Sequence, residues 1–341
     1  MKAVTVTAQG PALEEQPIPM PRPGEVVIRV EAASVNPIDT LMSAGYGESL
    51  FKWLRRDGAP KLGLDAAGTV TAAGPNVKRP QVGQKVVTAL MPFRSGGYAE
   101  YVAAPEKWVA EVPEGLPLAN AAAAAYAGLT IRQVLKAAGL YASTSCGKRV
   151  LVHGGSGGIG HLLIQLLHAW GAWVATTCST GNVDWVTRLG ANKVVDYKKE
   201  NFVDALADMD VVINTIMPAG ERLEESPHFS VLRPGGHYVS LISPTLTLAN
   251  KLGAPLGIMA SGGWMGLAKG YWRLRGKHHH WVYFAPGWKA LEEVMRWQRR
   301  GWMTPHIGHT FSLEEFATAH EAVKKGPARG KVMLDCRAAA E

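Results

Sequence analysis

Cysteine is scarce in the 341-residue chain: Cys146, Cys178 and Cys336 are the only three, and none falls in a C-x-x-C pair. That spacing excludes a disulfide framework and a four-cysteine zinc lobe, and it suits a reducing cytoplasm, the expected compartment. Long uncharged apolar runs are missing too. The longest, Leu252 to Ala268, has 17 residues broken by five glycines and a proline, too short and too interrupted for a membrane span. From Met1 the chain runs straight into alternating, strand-like sequence without a basic head and apolar core, so no secretion signal is expected. Compositional extremes are absent as well: hydrophobic residues at 47% and charged residues at 19% exclude disorder, coiled coil and collagen.

Positive charge is in excess, at a formal net +8, and it is localised. Lys269 to Arg300 holds eight Lys or Arg against two Glu, interleaved with Trp272, Trp281, Trp288 and Trp297. Such a mixture fits an anionic membrane or a nucleic acid, but no nucleic-acid motif accompanies it, and a solvated helical face is the simpler reading. His278, His279 and His280 are adjacent, and neighbouring side chains diverge. A surface connection is therefore expected there rather than a metal site.

The length implies about two domains at roughly 150 residues each. Up to about Val112 the pattern is short alternating runs broken by Gly and Pro, such as Glu25 to Ala32 and Lys85 to Ala89, which predicts a β-rich unit. An Ala-rich helix follows at Asn120 to Lys136, and then strands alternate with helices. Arg149 to His153, Trp173 to Thr177, Lys193 to Asp196, Val211 to Asn214 and His237 to Leu241 read as strands of a parallel, doubly wound sheet. A Gly-rich hydrophobic insert, about 243–277, interrupts the alternation before strand-like Trp281 to Phe284, and its place suggests a lid, an interface or a membrane-facing surface. Near the end, Ser312 and Glu315 have capping-box spacing, followed by a helix to Lys325 and a strand from Lys331 to Asp335.

Directly after the strand Arg149 to His153 comes Gly154-Gly155-Ser156-Gly157-Gly158-Ile159-Gly160 and then a helix. Gly155, Gly157 and Gly160 satisfy G-x-G-x-x-G: the first permits the tight turn, the second lets backbone approach a pyrophosphate, and the third allows close helix packing. The helix amino terminus adds unpaired N–H groups for the phosphates, so a dinucleotide is expected here. The second strand ends in Thr177-Cys178-Ser179-Thr180-Gly181-Asn182, without the carboxylate that would hold a ribose 2′-hydroxyl. Small donors such as Ser179, Thr180 and Asn182 suit a 2′-phosphate, with Arg188 or Lys193 as possible added charge, so NADP(H) is favoured over NAD(H).

Taken in order, Ala33 to Asp39, Leu62 to Gly68, Gly96 to Val102 and the glycine turn resemble the medium-chain dehydrogenase/reductase superfamily, with its quinone oxidoreductase branch nearest. More narrowly, Gly45-Tyr46-Gly47, the run Tyr238 to Pro244 with its insert, and His309 to Leu334 are similar to the reticulon-4-interacting protein 1 group. The resemblance implies an α/β protein: a GroES-like, β-rich catalytic domain (1–115, completed by 301–341) and a Rossmann domain (116–300), with the nicotinamide in the cleft between them. It also implies a homodimer. Zinc-dependent relatives carry Cys and His where this chain has Asn36 and Leu64, so no catalytic zinc is expected.

Loss of the metal's Lewis acid disfavours alcohol oxidation and suits hydride transfer to a quinone or an activated alkene. By resemblance Asn36, Asp39, Tyr46 and Thr130 face the cleft. Tyr46 can orient or protonate an acceptor and Asn36 can donate to its oxygen, while Asp39 is better suited to holding a loop. The resemblance carries Ser156, Gly158 and Ile159 to the phosphates and Ser179 and Tyr197 to the adenosine end. It carries Leu241, Tyr283, Phe284 and Arg329-Gly330-Lys331 to the remainder of the cofactor. Relatives commonly have Asp-Asn-Val-Gly or Asp-Ser-Val-Gly where this chain has Asn214-Thr215-Ile216-Met217, so Thr215 is a weaker cofactor ligand than its counterpart. The other readings are an enoyl-thioester or 2-alkenal reductase, or an NADPH-binding protein that works mainly through a membrane or protein partner.

Overall fold

The computed structural model describes residues 1–7, 9–54, 61–216, 226–326 and 329–337; Met217 and Ala328 lie outside them. In chain order the first unit contains β1 (Lys2–Thr7), β2 (Gly10–Glu15), β3 (Glu25–Val35), α1 (Pro37–Ser43), α2 (Glu48–Leu54), β4 (Asp65–Ala73), β5 (Lys85–Ala89), β6 (Tyr101–Pro105) and β7 (Val109–Glu111). The long α3 (Leu118–Ala138) leads into β8 (Arg149–His153), α4 (Gly160–Ala169), β9 (Trp173–Cys178), α5 (Val183–Arg188), β10 (Lys193–Asp196), α6 (Phe202–Ala205) and β11 (Met209–Asn214). Then come α7 (Ser226–Ser230), β12 (Leu232–Ser240), α8 (Thr245–Leu252), α9 (Ala254–Leu274), β13 (His278–Trp281) and α10 (Trp288–Arg299). The tail is β14 (Ile307–Ser312), α11 (Phe316–Lys324) and β15 (Lys331–Asp335).

Two large sheets result. One has the order β14-β15-β3-β4-β5-β7 with β6 also on β3, so the tail strands complete the sheet begun at the amino terminus. The other is six parallel strands in the order β10-β9-β8-β11-β12-β13. The fold is thus the expected α/β pairing of a GroES-like sheet with a Rossmann sheet. The Rossmann order reverses at β8, which puts the glycine turn after β8 at the topological switch point, where such sheets bind ligands.

Helix α3 joins the two units. Its alanines 121 to 125 are fully buried, and small side chains let it lie against β3, β4 and β5 on one side and α10 on the other. Gly128 sets the approach to α10: a Cβ there would stand 2.5 Å from Val294 Cγ1, so any larger residue pushes the helices apart. The helix ends at Gly139 in the left-handed conformation (φ +67°), which favours glycine.

Two expectations are corrected here. The three histidines are not a surface connection but β13 itself, an edge strand paired with β12; His279 is buried, and His280 stacks on His237 across the register. Correspondingly the strand ends at Trp281; the Val282 N–H still donates to Ser240 O of β12 at 3.2 Å, and Tyr283 and Phe284 lie beyond the strand. The Gly-rich insert forms α8 and α9, the second a helix of 21 residues. Among the described residues no helix is long and apolar enough to cross a membrane.

Candidate functional site

The turn after β8 is built so that only glycine fits at its key positions. A Cβ on Gly155 would stand 2.1 Å from Thr176 Oγ1, and one on Gly160 would stand 2.2 Å from the Gly154 carbonyl oxygen. Gly157 donates its N–H back to Gly154 O at 3.0 Å, which closes the loop. Ile159 stands at the N-cap of α4 and packs on the core, and the His161 N–H in the first turn of the helix donates back to Gly157 O at 3.2 Å. A glycine turn of this geometry opening a helix fits the phosphates of a dinucleotide.

The carboxy-terminal tail clamps this loop from the other unit. Gly330 N–H donates to Ser156 O at 3.1 Å, and Lys331 N–H donates to His306 O at 2.8 Å. Buried His161 on α4 ties both together: its Nδ1 donates to Gly157 O (2.8 Å), and its Nε2 accepts from His306 N–H (3.1 Å). Those partners fix a neutral imidazole, and burial holds its pKa down at about 4.

Register explains the second feature. β15 runs antiparallel to β3 with Val332 opposite Val35, and β3 pairs with β4 so that Ala32 faces Ala67. Lys331, Asn36, Ser34 and Asp65 therefore meet at one end of three adjacent strands, all buried. Lys331 Nζ donates to Asn36 Oδ1 at 2.6 Å, and Asn36 Nδ2 donates to Ser34 Oγ at 3.1 Å. Ser34 Oγ donates to Asp65 Oδ2 at 2.5 Å, and Ser34 N–H to Asp65 Oδ1 at 2.7 Å. Burial lowers the Lys331 pKa against the opposing pull of Asp65 and Asp39, and raises that of Asp65 against the pull of Lys331. The lysine stem lies against the glycine turn, since a Cβ on Gly158 would meet Lys331 Cδ at 3.1 Å.

Asp39 sits beneath this row with both oxygens engaged by backbone: Asn36 N–H at 2.9 Å and Gly63 N–H at 3.0 Å. It holds α1 and the Gly63 turn, and burial pushes its pKa up to about 7. Thr130 Oγ1 donates to Tyr126 O one helical turn back (2.9 Å). Tyr126, which the sequence reading missed, packs its ring on Phe284 at 4.7 Å between centroids and senses the charges of Asp39 and Asp65. Tyr46 lies on the turn between α1 and α2, half-buried, with its hydroxyl paired to Thr247 of α8 and its pKa raised by burial.

The other expected cofactor residues fall into two groups. At the carboxyl end of β9, Asn182 Nδ2 donates to Ser179 Oγ (3.1 Å) and Thr180 bonds to Asp196. Arg329 reaches in from the tail, with Nε on Asn182 Oδ1 (2.9 Å) and Nη2 on Gly181 O (2.6 Å). The charge at this end comes from Arg329, which the sequence had assigned to another part of the cofactor. Tyr197 lies alongside, exposed, on a cleft of about 340 Å³ that is also lined by Thr177, Lys198 and Lys199. Across the sheet, Thr215 Oγ1 donates to His153 O (2.6 Å) and would touch a Cβ on Gly154, while Leu241 N–H donates to Asn214 O (3.3 Å). Tyr283 pairs with Thr245 of α8 at 3.1 Å.

Comparison with known proteins agrees with this architecture. Residues 22–114 match the alcohol dehydrogenase GroES-like domain, and residues 189–334 match a family described as zinc-binding dehydrogenase. The chain is 32% identical over 328 residues to the human mitochondrial NAD(P)H oxidoreductase RTN4IP1, covering 92% of this chain and 82% of that one. It is 31% identical to the trans-enoyl reductase pgmF of Aspergillus terreus, covering 92% and 86%. Among solved structures, the quinone oxidoreductase of Coxiella burnetii aligns with a TM-score of 0.81 at 28% identity, covering 99% of each chain.

Proposed function

The chain belongs to the medium-chain dehydrogenase/reductase superfamily as an NAD(P)H oxidoreductase of quinone oxidoreductase type, and on that premise we propose that it is a zinc-independent, NADPH-dependent quinone reductase. The observation that carries the reading is Lys331: a buried ammonium set against the Gly158 turn and fixed on Asn36, beside the place the nicotinamide end would occupy.

The residues present do not fit a catalytic zinc ion, despite the description of the matching family. Asn36 offers a carboxamide whose oxygen is already on an ammonium, Leu64 is a buried alkyl group, and both Asp39 and Asp65 are engaged with N–H and O–H donors. Among the described residues no three His, Cys, Asp or Glu side chains are grouped as a metal would need. The cation at this spot is Lys331.

NADPH bound here supplies a hydride from its dihydronicotinamide ring to an electron-poor acceptor. Asn36 spends its oxygen on Lys331 and its amide nitrogen on Ser34, so the Lys331 head is held in one place. The remaining Nζ protons are free to donate to an oxygen gaining negative charge, and in a buried setting such a donor is worth far more than in water. Burial weakens the hold of Nζ on its protons, which suits it to pass one on. Tyr46 stays protonated and, held by Thr247, borders the acceptor side.

For the cofactor, Arg329, Asn182 and Ser179 form a basic, donor-rich corner suited to a 2′-phosphate, with Lys198 and Lys199 nearby. A second reading, reduction of an enoyl thioester or 2-alkenal, is favoured by the similarity to a trans-enoyl reductase, and the same Lys331 donor would serve an enolate oxygen. Steady-state turnover with NADPH against quinones, 2-alkenals and enoyl thioesters separates the two. Quinone reduction lost in Lys331→Met supports the proposal; quinone turnover undiminished in that variant contradicts it.

A further inference from the structure

We infer that α9 docks the enzyme on an anionic membrane surface, from which it takes a bilayer-dissolved quinone; this rests on the quinone reading above. The helix is seated along one side only. Ala254, Gly257 and Ser261 are buried against α8, where a Cβ on Gly257 would stand 2.4 Å from Ala249 Cα, and Trp264 and Trp272 reach Trp281 of β13 and Phe229. The far side is apolar and bare: Leu256, Met259, Leu267, Tyr271 and Leu274 are all exposed, Leu267 at 78% and Leu274 at 89%. At 100° per residue these five fall within an arc of about 120°, and at 1.5 Å per residue they form a stripe about 27 Å long. Trp53, at the end of α2 where it packs on α8 and α9, is exposed as well. Scattered apolar residues need no explanation, but a continuous stripe of this size marks an interface.

Charge identifies the occupant. From Ser226 to Leu291 the chain has no Asp or Glu, yet it carries seven Lys or Arg. Lys269 and Arg273 flank the apolar stripe on one side, Arg275 follows it, and all three are exposed without a carboxylate partner among the described residues. A second copy would bring the same positive charge against itself. An anionic bilayer supplies both the apolar layer for the stripe and phosphate headgroups for the cations, as in helices that lie in a membrane interface.

The surface also leads to the site. Asn250 of α8 donates to Gly45 O (2.9 Å) and accepts from Ser49 N–H (3.1 Å), and Thr247 holds the Tyr46 hydroxyl. One helix layer thus separates the apolar stripe from the turn that carries Tyr46, a short path for an apolar acceptor.

The test is flotation of the full chain with phosphatidylcholine vesicles, with and without phosphatidylglycerol, at low and high salt, beside turnover of a short-chain soluble quinone and a long-chain quinone dissolved in the vesicles. The wild type should float with the anionic vesicles and release in salt. The double variant Leu267→Glu, Leu274→Glu should stay unbound, keep its soluble-quinone rate within twofold, and lose roughly tenfold or more on the vesicle-borne quinone. The inference is overturned if the wild type does not float, if the variant floats equally, or if the variant converts a dimer to a monomer, which would make a second copy the occupant. Failure of the quinone reading would appear separately, as no soluble-quinone turnover in a protein that floats.

Discussion

Replacing Arg329 by Ala isolates the choice between NADPH and NADH. The guanidinium reaches the carboxyl end of β9 from the tail, bonded to Asn182 Oδ1 and Gly181 O, and no other arginine or lysine shares those acceptors among the described residues. A charge-assisted hydrogen bond to a phosphate contributes about 1.5–3 kcal/mol, and because Arg329 is exposed the lower part of that range applies. Loss of about 1.4–2 kcal/mol corresponds to a rise of roughly ten- to thirtyfold in KM for NADPH. The same substitution also loosens the Gly181 and Asn182 turn, but that cost falls on both cofactors alike. NADH turnover should therefore change by only about twofold, and added salt should narrow the wild-type preference for NADPH. Steady-state kinetics with each cofactor and one quinone measures both effects. An equal loss with NADPH and NADH, or none with either, would refute the assignment of Arg329 to the 2′-phosphate.

Three further outcomes follow from the site. Gly160→Ala should abolish measurable NADPH binding by fluorescence titration, because its Cβ would lie 2.2 Å from backbone, whereas Gly158→Ala, whose Cβ would stand 3.1 Å from the Lys331 Cδ and 3.5 Å from the Gly330 O, should weaken binding less than about tenfold; equal losses would misplace the loop. Lys331→Met should cut kcat by about tenfold or more with a smaller change in NADPH affinity, as expected for a donor acting on developing charge; a raised KM at constant kcat would make the lysine a phosphate clamp instead. His161 is neutral in the fold with its pKa held at about 4, while an unfolded histidine protonates near 6.5. Its contribution is full above about pH 6.5 and is lost as pH falls towards 4, about 2 kcal/mol between pH 7 and 5. Asp39, raised to about 7, works in the opposite direction, so the comparison is wild type against His161→Gln in urea at both pH values. An identical pH dependence in the two proteins would remove His161 from the account.

Much of this was legible because its causes are local. The glycine turn follows a short buried strand and opens a helix, and the bounds of β5, β8, β10 and β15 coincide with the expected runs. The Ser312 and Glu315 capping box is equally local. The misreadings share a different cause. Three histidines carry no strand pattern, and what makes them β13 is pairing with β12, some forty residues earlier in sequence. The Gly-rich insert was left without an element for a similar reason: glycine is a poor helix former, yet Gly257 is what lets α9 lie on Ala249, so tertiary packing overrides propensity.

The same limit applies to the site. Asn36 and Asp39 were legible as members of a motif, but the row from Lys331 through Asn36 and Ser34 to Asp65 depends on the register of β15, β3 and β4. No local spacing in the sequence brings residue 331 to residue 36. Tyr126 was hidden in an Ala-rich helix, where its only signal was to be the one aromatic side chain between Leu118 and Ala138.

The most direct measurement is NADPH consumption, followed by its own absorbance, with a short-chain quinone as acceptor and NADH in parallel. The account predicts quinone-dependent oxidation of NADPH that survives exhaustive treatment with a zinc chelator, with a kcat/KM at least tenfold above that for NADH. Tight NADPH binding without turnover of any quinone, or turnover abolished by the chelator and restored by zinc, would contradict it.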